Sequence, residues 1–218
     1  KVLPHFIFST LNSVADRLLI TFILGKYFTG IYTAGSMVAS LMPLIIGVIA
    51  SGTRPQIYAK FTDNTPSALK EVRELAITAM IIIAYIGTNI ALWSPEILLT
   101  LTGASYHNAW PISILLTLKY MIQALAVFAL CNVMFNKLEV HKLLFVTGST
   151  VLVLILFSAL LAPLYGIWGI AIASLLSTLH NLYFTHRLAK QTFNMSWPIL
   201  KMLSIITVFF IPACGLIV

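Results

Sequence analysis

Charge is what this sequence has least of. Only 9% of its 218 residues are Asp, Glu, Lys or Arg, against about 25% in an ordinary soluble domain. Acids are scarcest, with 6 Asp+Glu against 13 Lys+Arg. Hydrophobic residues make up 60% of the chain and the mean hydropathy is +0.99. A water-soluble globule of this size has too much surface for its volume to hide so many apolar side chains. A soluble fold is excluded, and the composition predicts a polytopic membrane protein.

Chemistry-bearing motifs are equally sparse. The two cysteines, Cys131 and Cys214, lie inside apolar runs without metal-ligand spacing and read as small apolar fillers. The sequence carries no nucleotide-binding loop, Ser/His/Asp set, paired carboxylates or zinc spacing. An intramembrane enzyme needs a nucleophile or metal cluster at lipid depth, so no catalytic residue, metal or cofactor is expected. The formal net charge of +7 invites a nucleic-acid reading, but the cations sit mostly in short loops between apolar runs. No basic stretch is interleaved with aromatics to stack bases, so no nucleic-acid partner is expected.

What is present is a series of apolar runs. A spanning helix needs about 20 mostly apolar residues. Seven segments qualify: 3–25, 31–58, 72–93, 110–136, 143–164, 167–187 and 199–218. The expected fold is therefore an all-α transmembrane bundle of about seven spans, forming one domain over 1–218. The chain opens on Lys1-Val2-Leu3-Pro4 at the flank of a span, and its last run reaches Val218. A fragment of a longer protein is expected. Local chemistry supports the edges. Thr65-Pro66 after Asn64 starts span three, Ser94-Pro95 closes it, Gly166 turns span five into span six, and Pro198 opens span seven. Trp93, Trp110, Trp168 and Trp197 all fall at span boundaries, where an indole settles at headgroup level.

Loop charge sets an orientation. One side holds Lys1, Lys60, Lys70, Arg73, Lys137, Lys142, Arg187, Lys190 and Lys201, and the other only Lys26. The positive-inside rule makes the first side, with loops 2–3, 4–5 and 6–7, cytoplasmic. The remaining cations, Arg17, Arg54 and Lys119, belong to the spans.

A charge at mid-bilayer costs about 2.5–3.5 kcal/mol on insertion scales, so such residues face a packed interior or a wet cavity. Asp16 and Arg17 are adjacent in span one and point about 100° apart, poorly placed to neutralise each other. Asp16 shares a face with Asn12, and Arg17 with Ser13 and Thr21. Each has a packing explanation, pairing with another helix. Arg17 also suits a phosphate, which its planar fork matches. Lys119, one turn before Gln123, either snorkels outward or faces a cavity. Arg54, before Pro55, is an interfacial anchor or a third interior cation. In span two Gly35, Ala39, Pro43, Gly47 and Ser51 recur every four residues, a register that lets helix backbones approach. Pro43 removes a donor mid-span and is expected to kink the helix as a gating bend. Gly169, Ala173 and Ser177 repeat the small-residue pattern in span six and read as packing. Asn132, Asn136, His180 and Asn181 line a path or bridge helices.

Four motifs in order carry a resemblance. They are Ser13-Val14-Ala15-Asp16-Arg17 with Gly25 and Gly30-Ile31-Tyr32; Pro55 at the end of the next span; Leu101-Thr102-Gly103-Ala104-Ser105-Tyr106 with Ala109; and Pro163-Leu164-Tyr165-Gly166-Ile167-Trp168-Gly169. Together they span nearly the whole chain. The sequence resembles the second half of the polysaccharide (O-antigen) flippases of the multidrug/oligosaccharidyl-lipid/polysaccharide exporter superfamily. The resemblance implies one lobe of a two-lobe transporter in the cytoplasmic (inner) membrane. The other lobe would be an N-terminal part of the same chain, and membrane lipids would surround both. The implied activity is translocation of undecaprenyl-diphosphate-linked oligosaccharide for cell-surface polysaccharide synthesis. The seventh span departs from the twelve-helix pattern and suits a fourteen-helix variant or a peripheral extra. Asp16 and Arg17 match the family's motif directly. Lys119 and Arg54 join them as expected substrate-binding residues from their depth and charge. Two alternatives stand beside this reading: a cation-coupled multidrug exporter leaning on Asp16, and a membrane enzyme acting on polyprenyl-linked sugars.

Overall fold

A computed structural model of the chain describes residues 14–135, 142–192, 195 and 197–217. Helix α1 is described over 14–23. It is followed by α2 (Lys26–Ala39), α3 (Leu41–Asp63), α4 (Pro66–Leu92), α5 (Ser94–Thr102), a 3-10 turn (Ala104–Ala109), α6 (Trp110–Phe135), α7 (Lys142–Tyr165), α8 (Ile167–Thr192) and α9 (Ile199–Ile217). No strand occurs among the described residues. Five stretches are long and apolar enough to cross a membrane: Lys26–Asp63, Pro66–Leu92, Ser105–Cys131, Lys142–Tyr165 and Ile167–Gln191. The protein is an all-α transmembrane helix bundle.

These five correspond to expected spans two to six. Span one enters the structure only at residue 14, and the apolar part of α9, Ile199–Pro212, is shorter than the five. Lys1, Asn12, Ser13, Asn136 and Lys137 lie outside the described residues, as do the side chains of Asn132 and Cys214.

Helix α6 is the hub, contacting α2, α3, α4, α8 and α9, while α7 packs on α8 and α4 on α9. Its lack of a polar face is what a helix surrounded by others requires. The large apolar side chains left outside, such as Phe22, Leu44, Val48, Phe145 and Leu200, form the surface that a bilayer covers and water would not.

The structure corrects the sequence reading in four places. Span two begins at Lys26 rather than 31, and helix is interrupted at Ser40. The cause is Pro43, which has no N–H to offer the Ala39 carbonyl four residues back. Ser94-Pro95 does not simply close span three. It opens α5, because a proline in the first helical turn forfeits no hydrogen bond. The small-residue stripe of span two holds only in its first half. Gly35 and Ala39 are buried, whereas Pro43, Gly47 and Ser51 are exposed, since at 3.6 residues per turn each four-residue step turns about 40° further and carries the stripe off the buried face, which continues through Met42, Ile46 and Ala50. Trp197 lies at a boundary but is buried, with its ring 6.3 Å from Phe128, so it packs core rather than headgroups.

Other local features follow the chemistry of the sequence. Thr65 caps α4 by accepting from the Ala68 N–H at 3.2 Å, with Pro66 in the first turn. Gly166 turns α7 into α8 at φ 57, in the left-handed region that glycine enters without steric cost. At Gly35 a Cβ would stand 2.9 Å from the Ala109 carbonyl, and the Ser113 hydroxyl donates to the Gly35 carbonyl at 2.7 Å. The backbone of α2 there meets the end of the 3-10 turn and the start of α6.

Candidate functional site

Asp16 is the most consequential residue of the interior. α1 carries it into the bundle, where it is buried. One oxygen, Oδ2, accepts from three donors on three other helices. Tyr32 Oη of α2 donates at 2.9 Å, Lys119 Nζ of α6 at 3.1 Å, and Ser174 Oγ of α8 at 2.9 Å. An ionised carboxyl group has about four acceptor sites over two oxygens. The three donors share the two sites of Oδ2, while Oδ1 is buried without a partner among the described residues. Ile20, Ile112, Leu116, Ala162, Ile167 and Ile170 form an apolar cluster with Tyr32 around this region, which keeps water from screening the pair.

Lys119 is almost fully enclosed and its ammonium also stands 5.4 Å from the Tyr120 ring centroid, within the range of a cation–π contact. It therefore points inward to Asp16 instead of snorkelling outward.

Arg17 behaves differently. It is exposed, and its Nη2 donates to Ser36 Oγ at 3.1 Å. Ser36 spends its own proton on the Thr33 carbonyl at 2.9 Å, leaving a lone pair toward the guanidinium. Thr21, expected on the same face, donates to the Arg17 carbonyl and meets Thr29 rather than the Arg17 side chain. No carboxylate pairs with Arg17 or Arg54 among the described residues.

Arg54 is half-buried and sits apart from this cluster. It lines a cavity of about 150 Å³ between α3 and α6, together with Pro43, Tyr120, Gln123 and Val127. The structure thus brings Asp16 to Lys119, and Arg54 to Pro43. Arg17 stands alone, and Tyr120 lies between the two groups. His180 meets Ser149 Oγ at 3.0 Å and Asn181 donates to Thr150 Oγ1 at 3.1 Å, so both bridge α8 to α7. Among the described residues no three of His, Cys, Asp and Glu converge as metal ligands would.

Sequence reasoning missed Tyr32, Ser36 and Ser174 as members of the site. The available signal was that a buried carboxylate needs donors. Hydroxyls are so common in these spans that none of the three stood out.

Comparison with protein-family models, curated proteins and solved structures finds no match for this chain. Its class, a membrane-embedded helical bundle with an interior ion pair, rests on the geometry above.

Proposed function

We propose that this chain is one lobe of a flippase that moves a diphosphate-linked, lipid-anchored oligosaccharide across the cytoplasmic membrane. One observation carries the reading: Arg17 presents an exposed guanidinium with no anionic partner among the described residues, while the charge of neighbouring Asp16 is bound to Lys119. Lys119 acts by neutralising that carboxylate, so Arg17 keeps its full charge for a phosphate. Its planar fork suits bidentate phosphate binding. Arg54 adds positive potential beside Pro43. The other lobe completes the cavity, and the loop charges put loops 2–3, 4–5 and 6–7 in the cytoplasm.

The test is Arg17→Ala in the complete protein as the cell makes it. Surface polysaccharide is expected to disappear while the protein's membrane level holds. Near-normal polysaccharide overturns the assignment.

A second reading, a cation-coupled exporter, is favoured by Asp16 Oδ1, a buried carboxylate oxygen without a partner among the described residues. Asp16→Asn separates the two. Loss of cation-dependent drug efflux supports the exporter, and loss of surface polysaccharide without a drug phenotype supports the flippase.

A further inference from the structure

A second cavity of about 200 Å³ lies between α6, α7 and α8. Its polar lining consists of Gln123, Thr147, Thr150, Thr178, Asn181 and Thr185, and among the described residues no ionisable side chain lines it. That volume equals about six or seven water molecules at roughly 30 Å³ each, or one pyranose ring. Polar groups gathered inside a lipid-embedded bundle are costly unless they face one another or a wet cavity.

The hydrogen bonds give the wall a direction. Thr150 Oγ1 donates to the Val146 carbonyl at 2.8 Å, and Thr178 Oγ1 to the Ser174 carbonyl at 2.9 Å. With those protons spent on the helix backbone, both oxygens can only accept, and Thr150 Oγ1 keeps one acceptor site for the cavity after taking the Asn181 amide. The amide of Asn181, which bonds Thr150 at 3.1 Å, extends the same surface, and Gln123 offers both donor and acceptor. A ligand rich in O–H donors matches this wall. A dehydrated cation would find no carboxylate to offset its burial, and a phosphate would meet acceptors without a cation.

Gln123 and Val127 also line the Arg54 cavity. They are one turn apart on a single stripe of α6, so a charge-bearing pocket and an uncharged hydroxyl-lined pocket share a wall. We infer that the α6–α7–α8 cavity is a subsite for an uncharged sugar ring, set beside the pocket to which Arg54 lends positive potential. The inference rests on the flippase reading and names the part of the passenger that this cavity recognises.

The experiment compares binding of undecaprenyl diphosphate with and without one N-acetylhexosamine to the purified complete protein. The wild type is expected to favour the sugar-bearing lipid about tenfold, the worth of about two neutral hydrogen bonds. Thr178→Val and Asn181→Ala bring that ratio to about one, and Thr178→Ser, which restores the hydroxyl, recovers it. Unchanged thermal midpoints certify the folding of each variant. Equal binding of both lipids by the wild type, or a ratio that survives both substitutions, overturns the subsite and leaves the flippase reading standing. Binding of neither lipid removes the flippase reading and the subsite with it.

Discussion

Lys119 Nζ and Asp16 Oδ2 lie 3.1 Å apart although 103 residues separate them in the chain. The pair is buried, and Tyr32 and Ser174 complete it. One carboxylate thereby fastens α1, α2, α6 and α8 together. A buried ion pair adds little or nothing to stability over well-packed apolar substitutes, because desolvation offsets the attraction, but removing one partner leaves an uncompensated charge.

Lys119→Met is therefore expected to lower stability by about 3–5 kcal/mol, read as thermal unfolding in detergent. The double variant Asp16→Asn/Lys119→Met should recover most of that loss, because no charge remains unpaired. A double variant no more stable than Lys119→Met would show that the pair does not hold the bundle.

The turn between α7 and α8 supplies a backbone test. A Cβ at Gly169 would overlap the Leu161 carbonyl, and backbone has little room to yield. Gly148 on α7 has nothing within 4 Å of its Cβ position. Gly169→Ala should lower the unfolding midpoint, whereas Gly148→Ala should hold or raise it, since alanine is favoured in helix interiors by about 1 kcal/mol. Equal responses would contradict the close α7–α8 approach.

The aim of Arg17 is set by Ser36. Removing that acceptor with Ser36→Ala is expected to slow transport by up to about tenfold, the worth of one hydrogen bond to a charged group. Arg17→Lys should leave partial activity, because the charge stays and the planar fork is lost. Initial rates of lipid-linked sugar translocation in liposomes read both effects. Full activity in Arg17→Lys would reduce the residue to a point charge.

Bilayer thickness made the long spans legible, since it demands apolar runs of fixed length wherever a helix crosses. Thr65-Pro66 and Gly166 were readable for a similar reason, their chemistry being local. α5 was not, because Ser94-Pro95 serves equally to stop one helix and to begin the next. The charged residues of the interior could be named from cost alone. Their partners could not, because Asp16 meets Lys119 and Ser174 across inter-helix registers set by packing over 103 and 158 residues of chain. The apolar fit of Trp197 against Phe128 was hidden likewise, its boundary position inviting a headgroup role.

The interruption at Ser40 divides span two into unequal partners. Its upper segment carries Tyr32 and Ser36, and so travels with the carboxylate that clasps four helices. Its lower segment carries Arg54 and packs against both α4 and α6. A rod with one rung missing is weakest at the gap, so a bend at Pro43 would alter the spacing of Arg17 and Arg54, neither of which has a carboxylate partner among the described residues, without parting Asp16 from Lys119. An anion passed from Arg17 to Arg54 would cross that joint.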